Sequence, residues 1–219
     1  MIAGYRAINR EAIWAALFSY LQAKLTAPGW SADTAYAAGQ IVTDPQGHLQ
    51  QAVTAGTSGA AAPAWNDNGG TAADGSGETA FTWQDTGPGF VSMGRRHVAP
   101  PDLVFADQPA CFVLGVKETH NPKPRGLPNR LTLHGFLIIY APAPGAEGDI
   151  GTESQLAATM LNGLFQAIDA ALLPDNLGQG TFTIGGLVSH CWIEGETDQD
   201  PGLFTDQAAA ILPIHILVP

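Results

Sequence analysis

Basic residues are missing from two long stretches of this chain. All nine Lys and Arg residues lie at or before Arg130, so residues 131–219 contain none, and residues 28–88 also contain none. Both stretches contain acidic residues, so the net charge of −11 is unevenly distributed. A surface with one basic and one acidic part can bind copies of itself head to tail. Uneven composition without a functional role is the alternative interpretation.

Long apolar runs and cysteines are also scarce. No run approaches the roughly 20 apolar residues of a membrane-spanning helix, so we expect no membrane partner. The N-terminal sequence MIAGYRAINREAIW lacks the basic-then-apolar order of a secretory signal, which predicts that the chain stays where it is made. The two cysteines, Cys111 and Cys191, lie in apolar segments, which favours buried free thiols over a disulfide.

Motifs for catalysis or cofactor binding are not found in the sequence. The patterns GxSxG and GxGxxG and the P-loop are absent. The six histidines are dispersed, and no pair has metal-ligand spacing together with Cys or a carboxylate. His134, His190 and His215 lie on three predicted strands and could converge, but core or interface histidines are the favoured interpretation. We therefore expect neither enzymatic activity nor a cofactor or metal.

Apolar periodicity predicts two helices. Asn9 is a good N-cap for a helix with apolar residues at i, i+4 spacing, which ends before Pro28. A capping box formed by Thr152 and Gln155 begins the second helix, which Pro174 ends.

Five strands are predicted, at residues 89–96, 110–118, 131–140, 181–196 and 207–218. The last two form a C-terminal pair at the centre of the core, joined by an acidic, solvated hairpin loop. Gly185-Gly186 is interpreted as a bulge, and Pro213 as a bulge or a free edge. The apolar run 207–218 suits a strand covered on both faces. We therefore expect an α+β fold in which two helices pack on a mostly antiparallel sheet of about five strands.

Residues 28–88 differ from the rest of the chain in being rich in Gly, Ala, Thr, Ser and Asp, with aromatic residues at intervals. This composition predicts a small all-β module with strands at 40–43, 48–54 and 80–84. It is inserted into a discontinuous α+β domain that comprises residues 1–27 and 89–219.

The module contains short motifs: W-x5-Y-x2-G-x2-V from Trp30 through Tyr36, GTSG at 56–59, P-x-W ending at Trp65 and F-x-W ending at Trp83. With these motifs it resembles a small β module of bacteriophage tail and fibre proteins, and it is distantly similar to the chitin-binding type of carbohydrate-binding module. Chitin binders carry adjacent exposed aromatics after the second strand, where this chain has AVTAGT. A structural role is therefore the first interpretation. Glycan or surface contact through Trp30, Tyr36, Trp65 and Trp83 is the alternative.

The connection THNPKPRGLPNR at residues 119–130 contains three prolines and three basic residues. We interpret it as a stiff projecting arm that reaches an acidic surface on an adjacent subunit. Contact with DNA is the rival account, which the acidic chain opposes. The candidate subunit-interface residues are Arg95, Arg96, Lys123, Arg125, Arg130, Trp192, Glu194, Glu196, Asp198 and Asp200.

Without residues 28–88, seven segments remain as a frame. They are NREAIWAALFSYL (9–21), GFVSMGRR (89–96), DQPACFV (107–113), LPNRLTLHGFLIIY (127–140), LNGLFQAIDAAL (161–172), GGLVSHCWIEGE (185–196) and DQAAAILPIHILV (206–218). Taken in this order, they resemble the tail terminator proteins of long-tailed bacteriophages, also called tail completion or minor tail proteins. The resemblance covers nearly all of 1–27 and 89–219.

This resemblance implies a structural virion protein without catalytic activity. Family members form a homohexameric ring at the head-proximal end of the tail, which ends tube polymerisation and forms the joint to the head connector. The implied partners are copies of the chain, the tail tube protein and the connector or stopper protein. DNA passes through the lumen without sequence-specific binding, and the protein is made in the bacterial host cytoplasm. An adhesin or carbohydrate-binding protein acting through the module is the main alternative. A small hydrolase is the third, but no activated nucleophile is evident.

Overall fold

The computed structural model describes residues 9–121, 130–142, 153–200 and 207–218. Within these residues the helices are α1 (Arg10–Leu25) and α2 (Glu153–Ala171). The strands are β1 (Ala35–Tyr36), β2 (Ile41–Thr43), β3 (His48–Ala52), β4 (Gly56–Thr57), β5 (Thr71–Asp74), β6 (Phe81–Pro88), β7 (Ser92–Gly94), β8 (Ala110–Asn121), β9 (Arg130–Pro142), β10 (His190–Ile193), β11 (Asp198–Asp200) and β12 (Gln207–Val218). Neither helix is long and apolar enough to cross a bilayer.

The main sheet has six strands in the order β10-β12-β9-β8-β7, and β11 also pairs with β12. Only the β7–β8 pair is parallel, and the other pairs of this sheet are antiparallel. The predicted α+β class and the mostly antiparallel pairing are therefore confirmed. The sheet has one strand more than the predicted number because the acidic segment after β10 pairs again as β11.

Helix α1 forms where the sequence predicts it. The Asn9 side chain accepts a hydrogen bond from the Ala12 backbone N–H at 3.1 Å and so caps the first turn. The predicted apolar stripe is buried against the main sheet: it consists of Ile13, Leu17, Leu21 and Leu25. The chain after the helix is extended: the C-cap residue Thr26 has φ −129° and ψ 152°, and Pro28 disfavours a helical conformation in the residue before it.

A notch in the main sheet accommodates Trp14 of α1. A Cβ atom at Gly135 would lie 2.5 Å from the Trp14 ring, and one at Gly115 would also lie 2.5 Å from it. No side chain fits at such distances. The two glycines, opposite one another on β8 and β9, therefore allow the indole to lie directly on the backbone.

Helix α2 packs on the same face of the sheet as α1. Leu161, Leu164 and Ile168 are buried there, together with the alternate residues of β12 that begin at Ala208. Thr152 of the predicted capping box lies outside the described residues. The other face of β12 is only half-buried, which corrects the expectation that this strand is covered on both faces.

The segment 181–196 is a strand only from His190 to Ile193, which corrects the predicted longer strand and bulge. Backbone φ angles of 51°, 65° and 85° at Ile184, Gly185 and Gly186 place three consecutive residues in the left-handed region, which a strand does not allow. Asp175 holds this turn by accepting hydrogen bonds from the backbone N–H groups of Thr183 and Gly185. The aspartate acts from outside the segment, where periodicity does not reveal it.

Pro213 has no backbone N–H to donate, and it lies where the strands on one side of β12 are interrupted. The β9–β12 register passes through the Pro213–Phe136 pair without a shift. On the other side of β12, β10 ends at Ile193 opposite Ile214, and β11 begins at Asp198 opposite Ile211. The proline therefore faces an interruption in the neighbouring strand. β12 therefore has neither of the two predicted features at Pro213: its register with β9 carries no bulge, and its edge there is not free, because the Glu194 backbone N–H donates to the Pro213 carbonyl oxygen at 3.3 Å.

Residues 28–88 form a four-stranded sheet in the order β2-β3-β6-β5 and a separate pair, β1 and β4. Their buried apolar residues make a cluster distinct from that of the main sheet, with Trp83 fully buried at its centre. The sequence missed the short strands β1, β4 and β5. Each is only 2 or 4 residues long, and small residues predominate in them.

The two ends of this segment meet. The Phe90 backbone N–H donates to the carbonyl oxygen of Leu25 at 2.7 Å, which joins the end of α1 to the chain that leaves β6. The segment also contacts α2, because Pro88 lies close to Gly163.

Candidate functional site

The main sheet has a face turned away from the helices, which we call the open face. Trp192 of β10, His215 of β12, His134 of β9 and Lys117 of β8 occupy successive register positions and form one row across four strands. Trp192 and Ile193 point to opposite faces, since Ile193 packs with the helix-covered core. All four residues of the row are half-buried or exposed, so the row is accessible at the surface.

The aromatic rings of the row contact one another. The ring centroids of Trp192 and His215 are 5.5 Å apart, and the two ring planes are inclined by 25°. The ring centroids of His215 and His134 are 4.6 Å apart, and these two rings are nearly perpendicular. His190 stacks on the other side of Trp192 at 4.9 Å. Such contacts fix the orientation of large side chains at a solvent-facing surface.

Hydrogen bonds fix the ends of these side chains. The Trp192 Nε1–H donates to Glu194 Oε2 at 2.6 Å. His134 Nε2 lies 2.8 Å from Thr119 Oγ1, and His215 Nε2 lies 3.0 Å from the Glu194 carbonyl oxygen. The row is thus ordered before any partner binds, which reduces the entropy lost on association.

Apolar residues extend the open face beside the row. Phe136 is 36% exposed, although it lies in the middle of the sheet, and its neighbours Pro213 and Leu114 are half-buried. The far end of the same face is covered by the chain's own Leu103, which packs on Phe112 and Tyr140. Exposed aromatic and apolar groups in the centre of a sheet are typical of a surface that a partner covers.

The three strand histidines converge, as the sequence suggested, but as an aromatic row. Among the described residues, no group of three or more His, Cys, Asp or Glu side chains is arranged to hold a metal ion. Desolvation first, then the neighbouring His215 and Lys117, lower the pKa of His134 below its ordinary value. The surroundings of His134 therefore favour the neutral form of its imidazole.

The predicted acidic residues lie at one edge of the main sheet. Glu194 and Glu196 lie in the chain between β10 and β11, and Asp198 and Asp200 lie on β11, the outer neighbour of β12. Glu194, Glu196 and Asp198 are exposed. We call these four residues the acidic edge.

The opposite edge of the sheet is formed by β7, and the predicted basic residues Arg95 and Arg96 follow it directly. Arg95 forms an ion pair with Glu11 of α1, so its charge is engaged within the chain. Arg96 is exposed, and no ion pair joins it to another described residue. Arg130 begins the central strand β9 and is exposed there. Lys123 and Arg125 lie outside the described residues.

The four aromatic residues proposed for glycan contact do not form one surface. Trp83 is fully buried and Tyr36 nearly so, which removes both as stacking platforms. Trp30 and Trp65 are half-buried and pack against the module core. Along β6, Trp83 alternates with the half-buried Thr82 and Gln84, which places the indole inside the module. In the W-x5-Y motif, Tyr36 is buried and Trp30 packs against the same core, so this motif is mainly a core motif.

Asp74 is a buried residue that sequence reasoning missed. Its carboxylate accepts hydrogen bonds from the Nε1–H groups of Trp30 and Trp83, each at 2.8 Å, and from two backbone N–H groups. Desolvation raises the pKa of Asp74, but the hydrogen bonds from Gly59, the two indoles and Gly75 outweigh it, so the pKa is lowered. Asp74 therefore fixes the orientation of the Trp30 and Trp83 indoles from inside the module.

Cys111 and Cys191 are free and buried, as predicted. Burial raises the pKa of each thiol to about 12, which keeps it protonated and unreactive at neutral pH.

Comparison with known proteins adds no relative to this description. No protein-family model matches the chain, and no curated protein matches it.

Proposed function

We propose that this protein is a non-enzymatic structural subunit that assembles head to tail into a ring, as a bacteriophage tail terminator does. The observation that carries the proposal is the position of charge on the main sheet. The acidic edge and the exposed Arg96 lie at opposite ends of one six-stranded sheet, with the apolar open face between them. Heterologous contacts close a ring when one face of a subunit meets a different face of the next.

Within this proposal the protein caps the head-proximal end of the tail tube, ends tube polymerisation and forms the joint to the head connector. The resemblance to tail terminators supports a homohexamer located in the virion. DNA crosses the lumen without sequence-specific contact, because a chain of net charge −11 binds phosphate weakly.

The proposal includes an insertion domain, residues 28–88, in a host domain formed by 1–27 and 89–219. The separate apolar cluster of the segment supports this division, as does the direct hydrogen bond between Leu25 and Phe90 at its two ends. Because the two ends of the insertion lie next to one another, the host chain continues almost directly from Leu25 to Phe90. The insertion is therefore compatible with the resemblance of the frame to a tail terminator.

An adhesin or carbohydrate-binding protein is the second candidate. It has less support, because Tyr36 and Trp83, two of the four aromatic residues expected to contact a glycan, are buried in the module.

Trp192 provides the sharpest test of the ring. Wild-type protein should form closed rings in electron micrographs, with a mass in solution several times that of the 22.8 kDa chain. Trp192→Ala should remain folded, because the side chain is half-exposed, and should be monomeric by light scattering. Val53→Ala removes a 52% exposed apolar side chain of the module and should assemble normally. A monomeric wild type, or normal rings formed by Trp192→Ala, would contradict the proposal.

A further inference from the structure

Strand β8 is longer than the strand beside it, so part of its outer edge has no partner strand. Its pairing with β7 ends where Gly94 lies opposite Phe112, whereas its pairing with β9 continues to Asn121. Among the described residues, no strand and no backbone hydrogen bond from another segment covers the outer side of β8 from Leu114 to His120. We call this stretch the β8 edge. An unpaired strand edge is a template on which another strand can pair.

The hydrogen-bonding pattern shows which residues of the β8 edge point outward. In antiparallel strands, the N–H and C=O groups of successive residues point alternately to one side and the other. The carbonyl oxygens of Pro213 and Leu217 in β12 accept hydrogen bonds from the β10 side, so the even-numbered residues of β12 bond to β9. The registers carry this alternation across β9 to β8, where Glu118 and His120 therefore direct their N–H and C=O groups away from β9.

Strand β11, at the opposite end of the sheet, also has an unpaired outer side. Among the described residues it pairs with β12 alone. By the same alternation Asp198 and Asp200 bond to β12, so the exposed Gln199 directs its N–H and C=O groups outward. The neighbouring β10 is less available, because the Cys191 N–H already donates to the Phe182 carbonyl oxygen. The sheet thus ends on both sides in main-chain groups with which a further strand can pair.

The strand directions allow these two edges to meet when the sheet is repeated. Successive strands from β8 through β9 and β12 to β11 are antiparallel, so β8 and β11 run in opposite directions. In a ring, each subunit is turned about the ring axis, and every contact repeats the same two different surfaces. A copy placed beside β11 with its sheet in line keeps its strand directions. Its β8 edge therefore lies antiparallel to β11.

The side-chain faces of the two edges also match. Glu118 lies opposite Leu133 of the helix-covered core, so it belongs to the helix-covered face. Gln199 belongs to the same face, because it lies opposite the core residue Ala210. When Glu118 and Gln199 pair, the two sheets therefore continue into one another with their helices on the same side.

The charges beside the two edges are complementary. Lys117 is exposed on the open face, one residue before Glu118. In the arrangement described above, Lys117 comes to lie opposite Asp200 of the neighbouring subunit. Opposite charges on facing strands stabilise their pairing, whereas like charges directly opposite one another destabilise it. Two copies of the β8 edge paired at Glu118 would bring two carboxylates together, so β11 is the better partner.

We propose that the β8 edge of one subunit pairs with β11 of the next, so that neighbouring subunits share one continuous sheet. The contact consists of main-chain hydrogen bonds between Glu118 and Gln199 and an ion pair between Lys117 and Asp200. In such strand addition, the main-chain bonds supply affinity and the side chains beside them select the partner. This inference rests on the proposed ring and specifies the contact that closes it.

Proline substitutions test the main-chain contact. Glu118→Pro removes an outward N–H that no described residue of the subunit accepts, and a strand edge tolerates proline where its N–H side faces solvent. Glu118→Ala is the matched control, because it also removes the side chain and its ion pair with Arg10 but keeps the N–H. Gln199→Pro and Gln199→Ala form the corresponding pair on β11. In sedimentation velocity, each proline variant should raise the dissociation constant at one interface by about tenfold or more relative to its alanine control.

Amide hydrogen exchange measures the same contact without a substitution. In the separate subunit, the amides of Glu118 and Gln199 face solvent and should exchange rapidly. In rings of the wild-type protein, mass spectrometry with residue resolution should show both amides protected by about 100-fold or more relative to an unstructured peptide.

The outcomes distinguish this contact from the ring itself. Wild-type rings in which the amides of Glu118 and Gln199 are unprotected would overturn the shared sheet and leave the ring standing. Proline variants that are folded by circular dichroism and assemble as tightly as their alanine controls would do the same. A monomeric wild type would overturn the ring, and this inference with it.

Discussion

The rings of His134 and His215 meet edge to face in the open face, with their centroids 4.6 Å apart. Lys117 is the charged neighbour from β8, and Thr119 holds the Nε2 atom of His134. Protonation of His134 would therefore place a second positive charge beside Lys117 and against an imidazole. Desolvation is the larger cause of the lowered pKa of His134, and the charges of His215 and Lys117 lower it further.

This arrangement predicts a stability that falls on acidification. Because the pKa of His134 is lower in the folded state than its ordinary value of 6.5, the unfolded chain takes up the proton first. The contribution to the free energy of unfolding is fully present above that value and is lost as pH falls from it toward the folded-state pKa. Urea unfolding between about pH 8 and pH 5 should show a steeper decrease for wild type than for His134→Gln. Equal slopes for wild type and His134→Gln would refute the assignment.

The helices and central strands of the fold were predictable because their signals are local. Asn9 and the apolar spacing after it predict α1, and the apolar run at 131–140 predicts β9. Where the prediction was wrong, a residue outside the predicted strand decides the structure. Asp175, eight residues before Thr183, holds the turn at Thr183 and Gly185 with its carboxylate, and apolar periodicity does not reveal this contact.

The candidate interface was predictable in part. Segregated charge in the sequence indicated two kinds of surface, but only the strand order shows that the acidic edge and Arg96 are at opposite ends of one sheet. The engagement of Arg95 by Glu11 also depends on tertiary structure, since the two residues are 84 positions apart. The burial of Gln108, which is only 5% exposed, has no sequence signal, because glutamine is usually a surface residue.

The notch for Trp14 predicts a specific intolerance at Gly135. A methyl group there would lie 2.5 Å from the Trp14 ring and 2.2 Å from the Leu114 carbonyl oxygen. Gly135→Ala should therefore lower the free energy of unfolding by about 1–3 kcal/mol, the usual cost of overpacking. Gly178→Ala, where the nearest atom would be 3.7 Å away, should change it by less than about 0.5 kcal/mol. Chemical denaturation of both variants measures this, and equal stabilities would exclude a tightly filled notch.

The contact between Leu25 and Phe90 predicts that the module can be removed. Replacement of residues 30–87 by a short Gly/Ser linker should leave a domain that unfolds cooperatively, because the ends to be joined are already adjacent. We expect lower stability than in wild type, since the packing of the module against α2 is lost. Scanning calorimetry and amide-proton NMR dispersion measure both properties. Loss of cooperative unfolding would show that the module shares the main core.

The two charged edges predict self-association that depends on salt. Arg96→Glu and Asp198→Lys should each weaken assembly, because each places like charges where the edges of neighbouring subunits meet. An exposed ion pair contributes about 0–1 kcal/mol, so the loss of one pair should raise the dissociation constant at one interface by no more than about fivefold. The arm variant with Lys123→Glu and Arg125→Glu should act in the same direction.

The combination of Arg96→Glu and Asp198→Lys in one chain separates the edge model from simple destabilisation. This variant exchanges the signs of the two edges, so its assembly should recover part of the loss seen in each single variant. Glu78→Lys, an equal change of charge at an exposed module position, should assemble like wild type. Sedimentation velocity measures the effect at low salt and at about 1 M salt, where the Debye length falls to about 3 Å. High salt should reduce the differences between variants, because it screens the contacts of the wild-type edges. Equal assembly of wild type, Arg96→Glu and Asp198→Lys at low salt would mean that the edges do not meet in the assembled protein.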